Sequence, residues 1–197
     1  MAGLLLRTEA GCGLTIGRYP RFAYNAAGGG GLGSLGAADS AGWQSLDFDP
    51  SGLAIPPLDF RTTRFLGLPL PPGLRIEVVP DQLQGRGQLA SGQLELRFRA
   101  RFRFSLLASY RAPDLLVDVQ LSTELACGAR QQLRGQRLDA RGEALLVGVA
   151  QVPPTGEAWY DRFLGLPDEA LALLRCRLQL LPPGEPSLAS EQPLISP

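Results

Sequence analysis

The chain has 197 residues, 45% of them hydrophobic, enough for a single domain with a substantial core. Its 19 basic and 19 acidic residues cancel, which argues against a protein whose main task is to hold nucleic acid or an anionic membrane surface. Every basic residue is Arg, and there is no His. That combination excludes Ser-His-Asp and Cys-His nucleophiles, His-ligated zinc, Schiff-base lysines and Walker A loops.

Residues 3–25 read as two or three short strands broken by Gly11, Gly13, Gly17 and Pro20. Leu4-Leu5-Leu6 is too short for a signal sequence, and no window approaches a membrane span, so a cytoplasmic protein is expected. Residues 26–42 carry a run of glycines with no following Lys, which reads as a flexible connector and not a phosphate cradle.

From Trp43 onward strands are expected at 43–48, 53–58, 74–79, 82–88, 93–106, 115–126, 131–138, 143–152 and 173–181. Asp49-Pro50-Ser51-Gly52, Leu89-Ala90-Ser91-Gly92 and Asp139-Ala140-Arg141-Gly142 place Gly where a tight hairpin needs a positive φ, so neighbouring strands should be antiparallel. Asp47-Phe48-Asp49 resembles a cation-binding pair of carboxylates, although Asp49-Pro50 is an ordinary turn opening. Trp43, Trp159 and Tyr160 are aromatic groups able to stack on a ligand or anchor a core rim.

Residues 94–104 alternate strictly. Leu94, Leu96, Phe98, Ala100, Phe102 and Phe104 share one parity, and Glu95, Arg97, Arg99, Arg101 and Arg103 the other. Arg97, Arg99, Arg101 and Arg103 form a candidate anion- or partner-binding face, with a cross-strand ladder to Glu77, Glu95, Asp118 and Glu124 as the structural alternative. On the apolar parity of the strands, Phe98, Phe102, Val117, Val147 and Leu178 are candidates to line a concave face.

Arg64-Phe65-Leu66-Gly67-Leu68-Pro69 recurs as Arg162-Phe163-Leu164-Gly165-Leu166-Pro167, flanked each time by a turn glycine, a diproline and a strand. The order suggests a duplicated unit, about 46–80 and 138–182, in which each hexapeptide forms a short helical turn that seals the sheet. Asp168 to Ala172 then reads as a first helical turn. Arg64 and Arg162 would make a symmetric clamp only if packing did not explain the motif. Cys12, Cys127 and Cys176 are odd in number and widely spaced, which fits reduced thiols. Residues 182–197 are Pro-rich and read as a loose tail.

Leu46-Asp47-Phe48-Asp49-Pro50-Ser51-Gly52 and Gly73-Leu74-Arg75-Ile76-Glu77-Val78-Val79-Pro80, within a Lys-free, Arg- and Leu-rich chain, resemble a cyanobacterial protein family of unassigned function. The resemblance spans residues 43–181 and implies no activity. In outline the meander is also similar to half-open barrels that hold lipids.

The expected fold is mainly β: a strongly curved antiparallel sheet, as barrel, half-barrel or sandwich, with one or two short helices and an internal duplication. The expected function is non-enzymatic binding of a hydrophobic small molecule such as a lipid or pigment, without cofactor or metal. The alternatives are docking of an acidic protein on the Arg face, and an enzyme using an acidic pair on a sugar-like substrate.

Overall fold

The computed structural model describes residues 2–107 and 109–182. Its strands are Ala2–Thr8 (β1), Cys12–Ile16 (β2), Phe22–Tyr24 (β3), Gly30–Leu35 (β4), Gln44–Phe48 (β5), Thr63–Phe65 (β6), Leu68–Pro69 (β7), Leu74–Gln88 (β8), Gln93–Leu106 (β9), Tyr110–Arg111 (β10), Leu115–Ser122 (β11), Leu125–Cys127 (β12), Gln132–Arg134 (β13), Glu143–Val152 (β14) and Asp168–Leu181 (β15). One α-helix, Ala158–Leu164 (α1), precedes β15. No helix among the described residues is long and apolar enough to cross a membrane. The expected loose tail, 182–197, lies outside the described residues apart from Pro182.

The main sheet is antiparallel and closes on itself. Its order runs β1-β4-β5-β8-β9-β11-β14-β15, and β15 pairs back onto β1, with Gly3 opposite Leu181 and Thr8 opposite Cys176. A ring of this size has an interior just wide enough to be filled by side chains or to hold one small ligand.

The wall forks on one side. β1 and β2 lie end to end along the same edge of β15, so the second half of that edge carries β2, then β3, β6 and β7. The branch returns to β8 through paired backbone hydrogen bonds of 2.9 Å between Leu58 and Ile76. The ring is therefore tight at the β1 end and spread at the β2 end.

The tight end is packed solid. Leu4, Leu6, Leu46, Phe48, Leu94, Leu96, Leu146 and Cys176 are almost wholly buried in one cluster. Burial pushes the Cys176 thiol up to about 12, so it behaves as a small apolar group.

Several expectations are corrected here. Residues 30–35 are a ring strand and not a connector, because their glycines let neighbours approach: a Cβ on Gly33 would lie 2.5 Å from the Phe48 ring, and one on Gly31 would lie 2.8 Å from Leu53. The expected strand at 53–58 reduces to isolated bridges at Ala54 and Leu58. The expected pair 74–79 and 82–88 is one strand with an irregularity at Asp81, which moves the inward parity from Ile76 and Val78 to Leu83.

The two hexapeptides do not share a conformation. Residues 64–69 form the β6–β7 hairpin, and residues 162–167 close α1 with Gly165 in the left-handed conformation. Asp168 to Ala172 is strand, not helix. Both edges of β15 are engaged there, by β14 and by β2, and ladder pairing overrides a local helical preference. Phe65 and Phe163 nevertheless meet a common neighbour, Tyr19, at ring-centroid distances of 6.3 and 5.9 Å.

Candidate functional site

The spread end contains open space. Two adjoining apolar lobes of about 140 and 230 Å³ share Leu14, Leu58, Phe102 and Ala172 on their walls. The smaller lobe sits at the fork, between Leu6, Cys12, Tyr24 and Phe98. The larger one lies beneath α1, between Ile76, Phe104, Val117, Tyr160 and Leu164. Neither alone reaches the ~300 Å³ of ordinary ligand pockets, but together they do. Their presence explains why Phe98, Phe102 and Phe104, on the apolar parity of β9, are only half-buried: each ring has a wall on one side and the lobes on the other.

A short helix covers the larger lobe. Its start is held by Asp161, whose carboxylate accepts hydrogen bonds from Thr155 N–H (2.7 Å), Thr155 Oγ1 (2.6 Å) and Gly156 N–H (3.1 Å). These bonds, the Thr155 hydroxyl first, hold the Asp161 carboxyl below its ordinary range. The arrangement turns Tyr160 inward against Phe104, at 5.6 Å between ring centroids. Burial, with Tyr110 and Asp161 adding to it, pushes the Tyr160 phenol up to about 12.

The lining is not wholly apolar. Among its hydroxyls, Thr8 donates to Ala26 O at 2.5 Å, Tyr24 donates to Pro56 O, Thr15 pairs with the Gln131 side chain, and Thr63 meets Thr62 at 3.2 Å. Among the described residues no hydrogen bond engages the Tyr160 hydroxyl. Tyr160 is thus the lining group best able to meet a polar atom of a bound molecule, and it was read from sequence only as one of three aromatic anchors. The signal that could have singled it out is Gly165, a left-handed stop that marks a helix ending just before it.

The five candidate lining residues part company. Phe98 borders the smaller lobe, Phe102 both and Val117 the larger. Leu178 belongs to the solid end. Val147 does not face the interior. It lies opposite Leu173, whereas its neighbour Leu146, opposite Leu174, is in the core. Val147 is fully buried on the outer face, the side covered by the β12–β13 hairpin, where a Cβ on Gly128 would come within 2.8 Å of Val149.

The arginine row faces outward and every member has a carboxylate. Arg97 and Arg99 share Asp118 at 2.7 and 3.4 Å, Arg101 meets Asp81 at 2.8 Å, and Arg103 meets Asp114 at 3.4 Å. The partners are Asp118, Asp81 and Asp114. Of the other acids expected in the ladder, Glu95 pairs with Arg86, Glu124 with Arg137 and Glu77 with Arg75. Hydrogen bonding from Arg97 holds the Asp118 carboxyl low.

Two further carboxylates, Asp49 and Glu169, are structural. Asp49 caps a single 3-10 turn, Pro50–Gly52, accepting from Ser51 N–H and Oγ, and those bonds lower its pKa. Glu169 accepts from Ala129 N–H at 2.6 Å, Arg130 N–H at 3.2 Å and the Gln151 amide at 3.1 Å. Those bonds, led by Ala129, depress its carboxyl. Trp43 lies at the opposite end from α1, under the Arg86 guanidinium at 4.5 Å. Among the described residues no group of three or more His, Cys, Asp or Glu is placed to hold a metal ion. Comparison of the chain with protein families, with curated proteins and with solved structures finds no match.

Proposed function

We propose that the protein is a non-enzymatic carrier that holds the apolar part of a small amphiphile, such as a lipid or pigment tail, in the two lobes at the spread end of its ring. The observation that carries this reading is the open apolar space itself, set between half-buried phenylalanines in an otherwise solid barrel. Such a space is kept because its walls are pinned by the closed ladder and cannot collapse onto it, and an apolar cavity of this kind stays dry and accepts apolar guests. Tyr160, a lining residue whose hydroxyl has no hydrogen-bond partner among the described residues, supports a ligand with a polar atom near the α1 end. The docking alternative is less well supported, since an acidic partner on the Arg row would have to displace Asp81, Asp114 and Asp118.

The test is fluorescence titration with a fatty-acid or retinoid probe. Saturable binding is expected in the wild type. Ala172→Phe, which builds a ring into the wall common to both lobes, is expected to abolish it, and Tyr160→Phe to weaken it several-fold. Absence of saturable binding by the wild type refutes the proposal, and unchanged binding by Ala172→Phe moves the site elsewhere.

A further inference from the structure

The end of the barrel that holds the lobes presents a rim of large apolar side chains to solvent. Rings follow one another across it: Phe65, Tyr19, Phe163, Trp159 and Tyr110, with successive centroids 5.5 to 6.5 Å apart. At the two extremities stand hairpin tips carrying leucine. Leu66 and Leu68 in the β6–β7 turn are each 70% exposed, and Leu107, after β9, is 69% exposed. Such clustering, unlike scattered surface leucines, marks an interaction surface.

The leucines are held at a local cost. Among the described residues only two non-glycine positions have positive φ, and they are Leu66 at 52° and Leu107 at 51°. A branched, bulky side chain is disfavoured there, where glycine sits without strain. Leu66 points into water and adds nothing to the core, and Leu107 rests on the bare backbone of Gly73 in the neighbouring turn while leaving 69% of its surface in water. Strain retained at an exposed position indicates a function for the side chain.

Charge on this end is segregated. On β9 every arginine is paired, as described above, whereas Arg7 on β1 and Arg134 on β13 have no carboxylate within 4 Å among the described residues. Around the rim Arg18, Arg64, Arg111 and Arg162 are exposed, and among the described residues none has a carboxylate within 4 Å. The nearby acids are engaged: Asp59 with Arg75, Asp114 with Arg103, Asp168 with Arg130, and Asp161 within the α1 start. Glu157 is the exposed exception. A net charge of zero over the whole chain therefore conceals a locally cationic end.

We infer that this rim is a docking surface for an anionic lipid bilayer, with the leucine tips and Trp159 entering the interface and the four free arginines meeting headgroup phosphates and carboxylates. The inference stands on the rim alone and goes beyond the carrier reading. Apolar tips on separate loops need a medium that accommodates them without shape complementarity, which a fluid bilayer provides and a folded partner does not. Aromatic groups with one polar edge suit the headgroup boundary, and each arginine adds an attraction that salt screens. Where the carrier reading also holds, the mouth of the larger lobe faces the membrane, and an apolar guest passes between them without crossing water.

The experiment is sedimentation of the purified full chain with vesicles of phosphatidylcholine alone or with added phosphatidylserine, at low and high salt. Trp159 emission is read in a Trp43→Phe background. Binding to the anionic vesicles alone, weakened by salt and accompanied by a blue shift of Trp159, is expected. Leu66→Gly combined with Leu107→Gly relieves the strained φ at both tips and gives up only the Leu107 contact with Gly73, so this variant should melt close to the wild-type temperature and keep any binding of the cavity probe. It should lose at least about tenfold in vesicle affinity. Changing Arg18, Arg64, Arg111 and Arg162 to Gln should remove the preference for phosphatidylserine. No binding to anionic vesicles overturns the inference, as does undiminished binding by the double glycine variant. Self-association abolished by the same variant, without vesicle binding, overturns it in favour of a second copy of the chain.

Discussion

At the scale of the residue, the inner face of β9 shows that chemical type and energetic weight are separable. Leu96 and Phe102 sit on the same parity of one strand, one in the solid end and the other between the lobes. Truncation of Leu96 removes contacts on every side, whereas truncation of Phe102 enlarges a space that already exists. Leu96→Ala is therefore expected to cost about 4 kcal/mol, and Phe102→Ala no more than about 3 kcal/mol although it deletes more atoms. On the opposite face Arg101→Ala should leave the denaturation midpoint close to wild type, since its partner Asp81 is itself in water. Urea titrations of the three variants check the ranking, and a larger loss for Phe102→Ala than for Leu96→Ala would show that its site is packed.

At the scale of the element, the test case is β4, which is built largely from glycine. Its place in the ring depends on the Phe48 ring lying over the bare backbone at Gly33, an aromatic covering a glycine across the ladder. Gly33→Val has no room and should destabilise by about 2–3 kcal/mol, while a change at Gly28, where a Cβ would meet nothing within 4 Å, tests only its positive φ. Thermal melts of the two variants distinguish packing from conformation. β4 was illegible in the sequence for the same reason, because a strand without side chains has no alternation to read. β9, β11 and the part of β15 over 173–181 were legible because one face is wetter than the other. β14 was misread in parity because Leu145, Leu146, Val147 and Val149 are apolar on both faces, one facing the barrel and the other the β12–β13 hairpin. A strand buried twice loses the periodicity that tells its sides apart. The helix was displaced from 168–172 to 158–164 because pairing on two edges of β15 is not visible locally. Of the candidate site, Phe98, Phe102 and Val117 could be found by parity, but the lobes depend on the fork in the wall, which no local pattern encodes.

At the scale of the whole molecule, the absence of His leaves a gap in the titration of the fold. Asp49, Asp118, Asp139, Asp161, Asp168 and Glu169 all have carboxyls lowered by hydrogen bonds or by arginines. A group depressed in the folded state contributes stability above its unfolded pKa and loses it as pH falls through the folded value. Stability is thus expected to be flat between about pH 5 and pH 8, where no side chain of ordinary pKa titrates, and to decline only below about pH 4. Chemical denaturation across this range checks it, and a midpoint that moves between pH 6 and pH 7 would require a group not accounted for here.

The closure of the ring between β1 and β15 has a bearing on how the chain is made. Until the ribosome has released β15, β1 has no partner on one edge, and the greasy faces of β9, β11 and β14 line an open trough. The most sequence-distant pairing in the sheet, Gly3 with Leu181, is the one that shuts it. The future interior therefore stays uncovered until β15 has emerged and paired, the interval in which a nascent barrel is most exposed to aggregation.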